Sequence, residues 1–72
     1  MKIYKRETQT PTHKIVRLNC EEHSDLEYVG DLSDEEVLDL FHSLSEDIDK
    51  EKNLKLLKYY GYLHLLIKKD TH

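Results

Sequence analysis

Ser33 and Glu36 stand three residues apart, just ahead of an apolar series at Val37, Leu40, Phe41, Leu44 and Ile48. No other stretch of the 72-residue chain restricts its fold so strongly. A serine at a helix N-cap accepts from a free N–H group of the first turn, and a glutamate three residues on accepts from the serine N–H. Asp34, Glu35 and Glu36 place negative charge at the positive end of the helix dipole. Apolar residues spaced by three and four form one stripe on a helix. The sequence therefore predicts an amphipathic helix over 33–49 with an acidic outer face, with Ser45 as an alternative start of a separate turn. The polar run from Asp47 to Asn53 marks a connection, and Asn53 is a candidate for a new N-cap.

So short a chain is one domain over 1–72. A domain of this size buries only roughly 60% of its unfolded surface, so every apolar stripe matters. Two strands are predicted at 2–7 and 13–20. In the second, Val16, Leu18 and Cys20 fall on one face, and Arg17 and Asn19 on the other. The polar Thr8–Thr12 segment has hairpin length and contains Pro11, so residues 2–20 read as an antiparallel β-hairpin. A third short strand at 26–29 precedes Gly30, which suits a turn into the helix.

The last segment, 54–69, is apolar or aromatic almost all round a helix. Its leucines and its length favour one helix, although Gly61 costs up to about 1 kcal/mol in a helix interior. The alternative is a helix to Tyr60, a break at Gly61 and a buried strand over 62–67. On either reading the segment exceeds what one sheet and one helix can cover. Tyr59, Tyr60, Tyr62 and Leu66 are therefore expected at an interface, either between copies of the chain, as in a homodimer, or with a partner protein.

Charge divides the chain into three. Twelve acids and no Lys or Arg lie between Glu21 and Asp49, and each flank carries +4, for a net charge of −4. A helix from Asp34 to Asp49 would be about 24 Å long and carry seven acids, close to the charge spacing of one DNA strand, about 3.4 Å. Glu35, Glu36, Asp39, Glu46, Asp47 and Asp31 are accordingly the candidate contacts for a basic partner protein. In size and charge layout the chain resembles the small acidic inhibitors that phages make against host nucleic-acid machinery. That resemblance implies a viral protein acting as a nucleic-acid mimic. The basic side gives a second expectation: Lys2, Tyr4, Arg6, Lys14 and Arg17 on the hairpin could contact phosphates directly.

Catalytic chemistry finds no motif. Cys20 and His23 have the spacing of half a zinc site, but the further ligands would come from His13, His42, His64 or His72 in separate elements, and no second paired motif exists. Neighbouring carboxylates such as Glu35 and Glu36 point to different sides of a helix. With glycine only at Gly30 and Gly61, no phosphate-cradling loop can form. A single cysteine excludes an intramolecular disulfide, and neither a membrane span nor a signal peptide is visible, so a cytoplasmic setting is expected. The sequence thus predicts a small α+β domain with no cofactor or metal. Its expected core is Ile3, Val16, Leu18, Leu26, Val37, Leu40, Phe41, Leu44, Leu57 and Leu63. Its expected function is non-enzymatic protein binding, as an inhibitor or modulator; the alternatives are a nucleic-acid-binding regulator and an assembly subunit.

Overall fold

In the computed structural model, which describes residues 1–69, the N-terminal hairpin forms the middle of a sheet. Strands β1 (Lys2–Gln9) and β2 (His13–Asn19) pair antiparallel, with Arg6 opposite Arg17 and Glu7 opposite Val16. Thr10 closes the turn: its N–H donates to the His13 carbonyl at 2.8 Å, and its hydroxyl accepts from the His13 N–H at 2.9 Å. Strand β3 (Glu27–Asp31) lies on the other side of β1, also antiparallel. Gly30 falls inside this strand, opposite Ile3, rather than in a turn after it. The register slips next to it, leaving Val29 as a bulge between the Ile3–Gly30 and Tyr4–Tyr28 pairs.

Helix α1 (Asp34–Leu44) starts as the sequence predicts. The Glu36 N–H donates to Ser33 Oγ at 3.2 Å, and the Ser33 N–H donates to Glu36 Oε1 at 3.1 Å. It ends earlier than the stripe implies. Ser45 is extended, and its hydroxyl accepts from the Asp47 N–H, a local bond that competes with the helical one. Ile48 still packs on the core, from the connection rather than from the helix. Asp49, not Asn53, caps helix α2 (Lys50–Tyr60) by accepting from the Lys52 N–H, while the Asn53 amide donates to the Asp49 carbonyl.

The expected single helix over 54–69 does not form. Gly61 adopts φ 80°, and its N–H donates to the Leu57 carbonyl, which ends α2 in a left-handed cap. Strand β4 (Tyr62–Lys68) comes immediately after and pairs antiparallel with β2. Helix propensity loses here to a period-two pattern: Leu63, Leu65 and Ile67 turn inward while Tyr62, His64, Leu66 and Lys68 face out. The sheet order is β3-β1-β2-β4, with the helical pair carrying the chain from one edge to the other. The architecture is α+β, as expected from the sequence.

One face of the sheet meets the helices. Ile3, Val16, Leu18, Leu63 and Leu65 pack against Val37 and Phe41 of α1 and Leu57 of α2. Leu26 is also buried, outside this cluster. Of the expected core, Leu40 and Leu44 are only partly buried, because α1 turns them to the margin of the sheet. Leu65 joins the core although the sequence does not single it out, because a helical 62–67 gives it no inward parity. No helix among the described residues is long and apolar enough to cross a membrane.

Candidate functional site

Among the described residues no helix lies over the other sheet face, and strand alternation decides what it displays. Cross-strand partners share a face, so the register builds rows. One row runs Tyr28, Tyr4, Asn19, Tyr62; the next runs Arg6, Arg17, His64; a third runs Thr8, Ile15, Leu66. His13 and Lys68 pair beyond them at one end, and Lys2 and Asp31 at the other. Among the described strand residues Asp31 is the single carboxylate with this parity, and it sits 3.0 Å from the N-terminal ammonium. Glu7 and Glu27 have the opposite parity, and Glu7 is paired with Lys14 at 3.3 Å.

Aromatic rings cover much of this face. Tyr4 and Tyr28 lie 5.2 Å apart between ring centroids, and Tyr62 lies 5.7 Å from the His64 ring. Tyr62 also continues into Tyr60 at 6.3 Å, and Tyr60 meets Tyr59 edge-on at 4.7 Å. The three tyrosines expected at an interface therefore form one exposed cluster at the end of α2. Leu66 belongs to the sheet face beside Ile15, and both are exposed.

At the centre of the face, Arg6, Thr8, Ile15, Arg17 and His64 line a shallow depression. Arg6 stands directly opposite Arg17, an arrangement that destabilises an antiparallel pair. Arg17 Nε and Asn19 Oδ1 are buried with no hydrogen-bond partner among the described residues. Buried polar atoms are normally satisfied, so each such group calls for an explanation. A donor and an acceptor of β2, two residues apart on the same side of the strand, are thus both left unpaired beneath the surface of this face. Such departures from local folding rules concentrate at functional sites.

The hairpin cations of the sequence separate accordingly. Lys2, Tyr4, Arg6 and Arg17 share the open face, whereas Lys14 lies on the other side with Glu7. Sequence inspection missed Asn19, Tyr28, Tyr62 and His64 as neighbours of the arginines, and Lys68 as a further cation at the end of the same face. The alternation over 62–68 was the signal available for three of them.

The acidic candidates are not gathered into one continuous face. With α1 only 11 residues long, about 16 Å, its acids reduce to Asp34, Glu35, Glu36 and Asp39. Asp34 is ion-paired with Lys58 of α2, and Glu36 is occupied in the capping box. Asp31 serves the N-terminal ammonium. Glu46 and Asp47 line a groove in the α1–α2 connection with Lys14, Lys68 and Lys69. Glu35 and Asp39 are left exposed on α1, with no ion pair among the described residues.

Cys20 lies near Met1, with Sγ 3.7 Å from Sδ. Burial pushes its thiol pKa up; the N-terminal ammonium opposes this and Glu21 adds to it. A thiol held protonated is a poor nucleophile. His23 contacts Asp25 rather than Cys20, His72 lies outside the described residues, and no metal-ligating group of three or more His, Cys, Asp or Glu forms among the described ones. No protein-family model, curated protein or solved structure matches the chain.

Proposed function

We propose that the protein is a non-enzymatic binding module that takes single-stranded nucleic acid on the open face of its sheet. The observation that carries this reading is the Arg6–Arg17–His64 row, which contains no carboxylate although Glu7, Asp25 and Glu27 share a groove with Arg6 at its margin, flanked by the Tyr28–Tyr4–Asn19–Tyr62 row. Anionic phosphates relieve the repulsion between the two guanidiniums, and unstacked bases find ring faces on the tyrosines. Stacking on an aromatic side chain contributes about 1–3 kcal/mol per base and tolerates any base. The rows stand two residues apart, about 7 Å at 3.4 Å per residue, so a base on the tyrosine row leaves its phosphate near the arginines. Duplex DNA offers this flat surface neither free base faces nor a fit to its grooves.

Fluorescence anisotropy with labelled mixed-sequence oligonucleotides tests the proposal. Single strands should bind at low salt and duplexes much more weakly. Two to four neutralised phosphates give a slope of log K against log salt of roughly −1.4 to −2.8 for a single strand. Absence of binding to single-stranded DNA and RNA at low salt refutes the proposal.

Glu35 and Asp39 support a second reading, in which the exposed acids of α1 engage a basic partner protein as an inhibitor would. The observation favouring it is that these two carboxylates lie away from the cationic sheet face and are unpaired among the described residues. Glu35→Lys with Asp39→Lys separates the readings. It abolishes partner capture on the second and leaves oligonucleotide binding intact on the first.

A further inference from the structure

The sheet has two edges, and only one is guarded. Strand β3 spans five residues, carries a bulge beside Gly30, and is bounded by Glu27 and Asp31. Short length, bulges and charge are the means by which proteins keep an edge from pairing. Strand β4 is longer and has no bulge. It keeps an unbroken seven-residue register with β2, and its one formal charge is Lys68 at the end.

Its free backbone groups can be assigned. The Cys20 N–H donates to the Gly61 carbonyl and the Lys69 N–H to the Thr12 carbonyl, both at 2.9 Å. These bonds bracket the β2–β4 ladder, and antiparallel bonding alternates residue by residue. Leu63, Leu65 and Ile67 therefore bond to β2. The N–H and C=O groups of Tyr62, His64, Leu66 and Lys68 point to the outer edge, and none enters a turn, loop or cap bond among the described residues.

We infer that β4 pairs antiparallel with β4 of a second copy of this chain, about a two-fold axis at Leu65. This is the register that uses all four free residues: Tyr62 bonds to Lys68 of the second copy, His64 to its Leu66, and the reverse. Side chains agree with it on both faces. Toward the helices, Leu65 meets its own copy and Leu63 meets Ile67, beside a groove that Ile48, Asn53, Leu65 and Ile67 line. On the open face, Lys68 stands opposite the Tyr62 ring, where a cation is attracted, and the two Lys68 side chains lie at opposite ends of the ladder. Among the paired strand residues no like charges face each other, and Asp47 and Asp49 lie off the ladder, in the groove beside it. A two-fold contact of this kind closes on itself and gives a dimer, not a fibre. The inference uses backbone groups of the edge and stands whether or not the open face binds nucleic acid.

Sedimentation of the full chain over a concentration series, with amide hydrogen exchange on the same samples, tests it. A dimer is expected, with the Tyr62, His64, Leu66 and Lys68 amides gaining protection as concentration rises. Leu66→Pro removes one outward donor at a position where an edge strand accepts proline, and should raise the dimer dissociation constant at least tenfold. If that variant unfolds, His64→Lys with Leu66→Lys sets lysines of the two copies opposite each other and should have the same effect on a folded chain. A chain that stays monomeric up to about 1 mM, where association is worth no more than about 4 kcal/mol, overturns the inference. So does an open-ended aggregate, a dimer protected elsewhere, or a dimer that a folded variant leaves intact.

Discussion

Arg6→Glu should make the protein more stable while removing the proposed binding. Arg6 and Arg17 are direct cross-strand partners, and no carboxylate shares their row. An opposite-charge pair contributes roughly 0.2–1 kcal/mol, and like charges in the same position are destabilising. Replacing repulsion by attraction at this partly exposed pair is therefore worth about 1 kcal/mol. For a domain of this size that raises Tm by about 4–8 °C. Thermal unfolding followed by circular dichroism measures it. The difference from the parent protein should shrink in 1 M salt, where the screening length falls to about 3 Å. In low salt the same variant should bind single strands at least about tenfold more weakly, a loss of about 1.4 kcal/mol, because the new carboxylate occupies Arg17 and repels phosphate. An unchanged or lower Tm, or unchanged affinity, refutes the argument that the arginine row is held against its own repulsion for an anion.

Local structure sets three further outcomes. Gly61→Ala strains a residue at φ 80° but meets open space around the added methyl, so urea titration should find a loss of about 1–2 kcal/mol and a folded protein. Ser33→Ala removes the acceptor of the α1 cap and should lower stability by about 1 kcal/mol in the same assay. Burial holds the Cys20 pKa above its ordinary value, so iodoacetamide should modify the native thiol more slowly at pH 8 than the unfolded one. The folded state retains that proton longer, so this thiol's contribution to stability is complete below its unfolded pKa and is lost as pH rises through the folded one.

The parts of the fold that depend on neighbours along the chain are legible in the sequence itself. Ser33 and Glu36 cap α1 as their spacing requires, and the alternation of Val16 and Leu18 against Arg17 and Asn19 places β2 correctly. Where local and distant preferences conflict, the sequence misleads. Leu63–Ile67 has strong helix formers, and pairing with β2, more than forty residues earlier, makes it a strand. The end of α1 is misread for a similar reason: a stripe continuing to Ile48 cannot reveal that Ser45 and Asp49 take their hydrogen bonds locally. The open face is the least legible feature. Its rows join residues from four strands in the order β3-β1-β2-β4, so Tyr28 and His64 become neighbours of the hairpin only once the topology is known. The acidic block is conspicuous in sequence for the opposite reason. Its charges are adjacent in the chain, yet folding disperses them among Lys58, the N-terminal ammonium, a helix cap and a lysine-lined groove.

The most direct test of the central claim is an NMR titration of the ¹⁵N-labelled protein with a short mixed-sequence single strand, following backbone amides and aromatic side chains together. Binding on the open face predicts that the largest shifts fall on Tyr4, Arg6, Arg17, Asn19, Tyr28, Tyr62 and His64, with Glu35 and Asp39 unmoved. Shifts centred on α1, or none at saturating oligonucleotide, would contradict it.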